Sequence, residues 1–371
     1  MVLGVLRLLL ALAVVISHVP KAPFEWRMMG GVHAVQAFFI ISGFYMAFIL
    51  HEKYSTSYRL FITNRFLRIY PTYVVVLLLT LAASVLLYIV TGNYLPFYIT
   101  GGINSFMDSQ SYLGWWPVLI FILMNIFIFG QDVTMFLGVR RPEGSLYFTA
   151  DWSAQDVRPL QFLLVPQAWS LAIELMFYFI APFIVRFKIW LLSVLMVASI
   201  GGAYILIAFG LREDPWSYRF FPTQIGFFVL GILAYKAYVY LKTRPLSVWV
   251  TGGVSLVMVF FTGAYQYIPI PEEYKKLAYY VALACSLPFM FLWSKDIKLD
   301  RVVGELSYPI YIVHVLVIGV LGRQFTMHGQ STETAWYGGG VIVMTILASY
   351  LLLKVVVEPM DRIRQRRAQR Q

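Results

Sequence analysis

Apolar runs recur from one end of this chain to the other, separated by short stretches in which polar and basic residues collect. Runs that are long enough to cross a bilayer, or nearly so, fall at 2–19, 33–50, 69–90, 112–130, 168–187, 189–210, 222–241, 247–265, 277–293, 305–322 and 336–357. The measure is the ~20 helical residues needed to traverse a hydrocarbon core. The pattern predicts an all-α polytopic membrane protein. No internal repeat stands out and no low-complexity linker divides the chain, so one transmembrane unit is expected over 1–360, followed by a basic tail at 361–371.

Orientation follows from where the lysines and arginines sit, because cytoplasmic loops carry the excess. Lys53, Arg59, Arg65 and Arg68 place 51–68 inside, and with it the N-terminus. Arg186 with Lys188, the runs Lys236–Lys242–Arg244 and Lys295–Lys298–Arg301, and the tail DRIRQRRAQRQ point the same way. Eleven crossings from a cytoplasmic N-terminus would leave that tail outside. About ten crossings are therefore expected, with both termini cytoplasmic and one run interfacial or re-entrant. The run 112–130, which opens on Trp115, Trp116 and Pro117, is the candidate, and 131–167 would then face outside.

Composition agrees with this and removes some functions. The chain is 60% hydrophobic and only 13% charged, far below the charge of soluble domains. Its net charge of +11 would suggest nucleic acid in a soluble protein, but here the basic residues cluster at the ends of apolar runs, as topology demands. The tail is read as a lipid-facing anchor. A single cysteine, Cys285, excludes an internal disulfide and a multi-cysteine metal site. The N-terminus lacks a basic region ahead of its apolar run and a small-residue cleavage site after it, and is read as a retained helix.

Candidate chemistry lies in polar groups inside the apolar runs, where ionisable residues are costly and mark functional interiors. Arg7 and His18 are eleven residues apart, close to three helical turns, so they share a face about 16 Å apart along the axis. In QAWSLAIELMFY, 167–178, Gln167, Ser170, Glu174 and Tyr178 form a polar stripe. Two readings of Glu174 stand side by side: an ion pair with an arginine, or a partner that orients His18 and stabilises its imidazolium. Ser307, Tyr311 and His314 form another stripe in GELSYPIYIVH, with interhelical hydrogen bonding the plainer reading for Ser307. Arg65 and Arg68 lie three apart in NRFLRIYP, either as topology signals or as a phosphate clamp. His33 and Gln36 open HAVQAFFIISGFYMAF, where Ser42–Gly43 allow close helix packing or leave room for a narrow ligand chain. No HExxH, Walker loop, G-x-S-x-G or cysteine–histidine metal cluster occurs, and no metal is expected.

In order and spacing, RLLLALAVVISH, FFIISGF, NRFLRIYP, WSLAIELMFY and GELSYPIYIVH resemble the acyltransferase 3 family of membrane-bound O-acyltransferases across 1–360. That resemblance implies a bacterial inner-membrane, multi-pass enzyme. It would transfer an acyl group, most often acetyl, from cytosolic acyl-coenzyme A to a hydroxyl of an exopolysaccharide, an O-antigen or a lipid-linked glycan. Acetyl-coenzyme A would be a co-substrate and not a resident cofactor, and polysaccharide-assembly proteins are implied partners. By the same resemblance Arg7 and His18 are the signature pair and Arg65 and Arg68 contact coenzyme A phosphates. Glu174 joins the pair as a catalytic candidate, and His33, Ser170, Ser307, Tyr311 and His314 are further site candidates. The competing class is a transporter or flippase of glycan-related substrates that uses the same buried polar groups as a path.

Overall fold

The structure is a computed structural model that describes residues 2–52, 54, 57–95, 101–211 and 213–369. Lys53 and Arg370, both among the expected cytoplasmic charges, lie outside the described residues. The chain is almost wholly helical. In order come α1 (Leu3–Ser17), α2 (Gly31–Glu52), α3 (Tyr58–Thr91), α4 (Ile103–Asp108) and α5 (Trp115–Phe127). A two-stranded hairpin follows, β1 (Leu137–Arg140) antiparallel to β2 (Ser145–Phe148). Then come α6 (Trp169–Ile184), α7 (Ile189–Ala208), the single turn α8 (Glu213–Trp216), α9 (Phe221–Leu241), α10 (Val248–Ala264) and α11 (Glu272–Ser294). The chain ends with α12 (Lys298–Glu305), α13 (Ser307–Met327), α14 (Ala335–Leu352) and α15 (Glu358–Gln369), the last two joined through one π-helical turn.

Among the described residues, nine helical stretches are long and apolar enough to cross a membrane, and α1 and α5 are shorter apolar helices. At 1.5 Å per residue the 13-residue α5 spans about 20 Å, short of the ~30 Å hydrocarbon core. Leu78, Leu86, Ile89 and Val90 of α3 and Val194 and Val197 of α7 are exposed, which suits lipid as the solvent. The helices with polar interiors, α1, α2 and α6, are central.

The 34-residue α3 differs from the expected run at 69–90, because it begins eleven residues earlier, at Tyr58. Ser57 caps it by accepting the Leu60 N–H at 3.3 Å, and the left-handed Gly92 (φ 72°) ends it. Pro71 lies inside the helix and does not start it. From Tyr58 onward, the stretch that its basic residues place inside is therefore one continuous helix with the apolar run 69–90.

Two close approaches position α1 and α2. The Gly4 N–H donates to both carboxylate oxygens of the buried Asp300 at 3.0 Å, so an acidic side chain of α12 satisfies the start of α1. A Cβ on Gly4 would come within 1.8 Å of the Asp300 carbonyl oxygen. Gly43 of α2 and Gly231 of α9 face each other's helices so closely that a Cβ on either would lie 1.9 Å from a backbone oxygen, that of Phe228 or Ile40. Of the two readings of Ser42–Gly43, Gly43 serves close packing, while Ser42 turns toward Glu174.

The tail is not a free anchor. Residues 358–369 are helical and dock on α3, with Arg364 buried, Arg367 donating to Thr63 Oγ1 at 3.0 Å, and Arg362 and Arg366 exposed. The reason is helical spacing: Asp361, Arg364 and Arg367 share one face, and that face meets the extended start of α3.

Candidate functional site

α1 crosses the centre of the bundle, against α2, α12 and α13, and carries a candidate group at each end. Arg7 and His18 are about 16 Å apart along its axis. Each end has its own chemistry.

At the first end the guanidiniums gather. Arg7 points across Gly304 toward Tyr45, whose ring centroid is 6.0 Å from its central carbon. Tyr45, Arg68, Glu305 and Glu174 act on its charge. Arg68 in turn feels Asp361, Tyr178, Glu305 and Glu174. Arg65 is buried, with Arg68, Tyr178 and Tyr54 around it. Tyr54 also accepts from Asn64 Nδ2 at 3.1 Å. An open recess of about 680 Å³, lined by His51, Lys188, Trp190, Tyr235, Lys236 and Lys242, lies beside the end of α2. It shares His51 with a second recess of about 280 Å³ lined by Tyr54, Tyr58 and Arg186, and Arg65 lines neither recess.

Glu174 belongs to this end. Its Oε1 accepts from Ser42 Oγ at 2.7 Å and from the Tyr178 hydroxyl at 2.5 Å, with Arg7 and Arg68 as the nearby cations. Of the two readings of Glu174, the one that makes it the partner of His18 is therefore corrected. Its hydrogen bonds go to Ser42 and Tyr178, and it lies on the side of Arg7 and Arg68 without a direct ion pair to either among the described residues. Only a little over one helical turn separates Glu174 from Ser170, yet that turn moves it from the histidine end to the arginine end.

At the second end His18 caps α1. Its Nδ1 lies 2.7 Å from the Val14 carbonyl oxygen, which only accepts, so Nδ1 carries the proton and Nε2 presents its lone pair. Ser17 Oγ donates to the same carbonyl at 2.7 Å. The ring that faces His18 is His314, with centroids 5.0 Å apart and planes at 60°. His314 Nδ1 is held by the Tyr311 carbonyl at 2.6 Å, and its buried Nε2 has no partner among the described residues. Both imidazoles thus share one tautomer.

The neighbours fix these rings. Tyr311 donates to the Gln167 carbonyl at 2.8 Å, which leaves Ser170 Oγ to donate to the Tyr311 oxygen at 2.6 Å. Gln167 Nε2 donates to the Ile312 carbonyl at 2.5 Å. Ser307, by contrast, donates to the Gly304 carbonyl at 2.7 Å and serves the start of α13. His33 lies on another network, 3.0 Å from both Glu272 Oε1 and the Tyr280 hydroxyl, which leads through Gln36 to Gln224. These bonds tie it to α11 and α9.

Sequence spacing does not reveal two further groups near His18. Arg219 acts on the His18 charge, sits 4.4 Å from the Trp169 ring centroid and pairs with Asp214 at 2.8 Å. Asp132 is buried beside Arg219 in the loop after α5, and burial pushes its carboxyl up to about 6. The available signal for Arg219 is its position: an arginine just before the run 222–241, at the end opposite Lys236 and Lys242, runs against the charge rule.

Residues 3–354 match the acyltransferase domain family Acyl_transf_3. The chain is also similar to an uncharacterized protein of Aquifex aeolicus (strain VF5), 25% identical over 208 residues, which is 54% of this chain and 89% of that protein. No solved structure matches.

Proposed function

The chain belongs to the Acyl_transf_3 acyltransferase family, and on that premise we propose that it moves an acyl group, acetyl foremost, from cytosolic acyl-coenzyme A to a hydroxyl of a bacterial exopolysaccharide, O-antigen or lipid-linked glycan. Its apolar helices and its family together make it a multi-pass membrane acyltransferase. The observation that carries the finer reading is α1 itself, which joins an arginine cluster to a histidine pair about three turns away.

In this reading the arginine end faces the cytoplasm of a bacterial inner membrane. Arg65 and Arg68 take the donor's phosphates, for which planar guanidiniums are well shaped. The basic recesses form the approach, and Arg7 holds the donor where α1 enters the bundle. The pantetheine arm runs along α1 and brings the thioester to His18. The acceptor arrives from the opposite face.

His18 Nε2, with Nδ1 anchored on Val14, takes the proton of the acceptor hydroxyl while that oxygen attacks the thioester carbonyl carbon. Collapse of the tetrahedral oxyanion breaks the carbon–sulfur bond, and the imidazolium returns the proton so that coenzyme A leaves as the thiol. Arg219 is the cation at this end and offsets the oxyanion's charge. His314 and the Tyr311–Ser170–Gln167 contacts hold the ring facing His18. Glu174, bonded to Ser42 and Tyr178, keeps Arg7 and Arg68 in place.

The test incubates the purified protein and His18→Ala with radiolabelled acetyl-coenzyme A and membrane glycans from a producing strain. Label reaching glycan with the parent alone supports the reading. Glycan movement across vesicles with no consumption of acyl-coenzyme A would replace it with transport.

A further inference from the structure

Arg364 lies beyond residue 354, where the family match ends, yet it returns to the arginine end of the site. α15 docks on the start of α3, and Arg65 and Arg68 both act on the Arg364 charge. Arg364 and Arg65 are each more than nine-tenths buried. In both, the Nε–H group is buried with no acceptor among the described residues.

Guanidiniums brought together in a buried space repel one another, and each unpaired N–H loses water without replacement. Asp361 offsets part of this, since it pairs with Arg364 Nη1 and acts on Arg68. The groups that act most on Arg65 are Arg68, Tyr178 and Tyr54, none of them a carboxylate. An anion with several acceptor oxygens would satisfy both orphaned N–H groups at once, as phosphate esters do.

We propose that Arg364 of the C-terminal helix closes a buried phosphate site with Arg65 and Arg68, and that its occupant is a phosphate group of the acyl-coenzyme A donor. The occupant rests on the acyl-donor reading above; the site itself rests on the three guanidiniums. α15 is then part of the donor site, and Asp361 is an internal competitor that must yield part of its hold on Arg364 when phosphate binds.

Two variants of opposite expected sign test this in nanodiscs: Arg364→Gln, and Asp361→Asn, which removes the competing charge. Coenzyme A and inorganic pyrophosphate are titrated calorimetrically into each, and the donor KM and kcat are measured. Arg364→Gln should weaken coenzyme A binding about tenfold and raise KM by a similar factor with kcat near the parent's, as loss of one charge-assisted contact predicts. Asp361→Asn should tighten binding by roughly two- to fivefold, a gain that damage to the fold does not produce. Unchanged binding in Arg364→Gln overturns the proposal. If that variant does not fold, Asp361→Asn decides, and neutral or weaker binding overturns it. Pyrophosphate binding that Arg364→Gln abolishes, in a parent that ignores coenzyme A, keeps the phosphate site and overturns the acyl-donor reading. A parent that binds neither probe overturns both.

Discussion

The two ends of α1 solve different electrostatic problems with different means. Around Arg7 the charges are many and only partly matched: Arg65, Arg68 and Arg364 against Glu174, Glu305 and Asp361. Around His18 the groups are the Val14 carbonyl, a second imidazole and Arg219, which is itself paired with Asp214. A surplus of guanidinium suits an anion that must be drawn in and held. A proton acceptor needs a neutral ring with one lone pair directed outward, and a carbonyl on Nδ1 provides it without adding charge. In the proposed mechanism one helix carries both tasks, its length setting the Arg7 cluster about three turns from the ring.

The sharpest way to break this division is His18→Ala. Loss of a general base should lower kcat by about 10²–10⁴-fold while coenzyme A binding, measured by calorimetry, stays within about twofold of the parent. Full activity would remove His18 from the chemistry. Arg65→Ala should do the reverse, raising donor KM on the order of tenfold with a smaller loss of kcat. An unchanged KM would reduce Arg65 to a topology signal.

Glu174→Gln sharpens the boundary between the ends. A carboxylate that organises Arg7 and Arg68 should, when neutralised, change donor KM a few-fold and leave the pH dependence of kcat in place. Displacement of that pH profile would restore Glu174 as the partner of His18. The smallest expected effect concerns stability. The Asp132 carboxyl is raised from 3.8 to about 6 in the folded chain, so the native state favours its protonated form. That contribution is fully present below about pH 4 and is lost as pH rises through 6. Above this window the buried carboxylate costs the fold roughly 3 kcal/mol relative to acid conditions. Asp132→Asn should therefore melt higher than the parent at about pH 8 and no higher at about pH 4. Equal melting at the higher pH would show that Arg219 compensates the carboxylate in full.

Particular elements show where linear pattern suffices and where it misleads. The run 112–130 is legible as a helix, but its helical part, α5, is only 13 residues long and opens on the two tryptophans and the proline. The start of α3 is hidden because arginines and Pro71 look like a boundary, whereas a membrane helix tolerates an internal proline when its neighbours satisfy the backbone. The Ser307, Tyr311 and His314 stripe is visible from spacing, but its members go to different tasks: Ser307 to the local turn, Tyr311 to Ser170 and Gln167, His314 to His18.

The helical, membrane-spanning class, the shared face of Arg7 and His18, and the five-motif likeness to an acyltransferase family are all written in the linear chain, since they depend on composition and on the fixed rise of a helix. Which side chains meet is a property of the folded bundle. Packing gives Glu174 to Ser42 and Tyr178, on the side of the arginines, and sets His314 against His18. It also caps Gly4 with Asp300, 296 residues away, and brings Arg364 back to Arg65. Periodicity selects the face of a helix, but the partner across that face depends on how helices distant in sequence pack, as the backbone contacts at Gly43 and Gly231 illustrate.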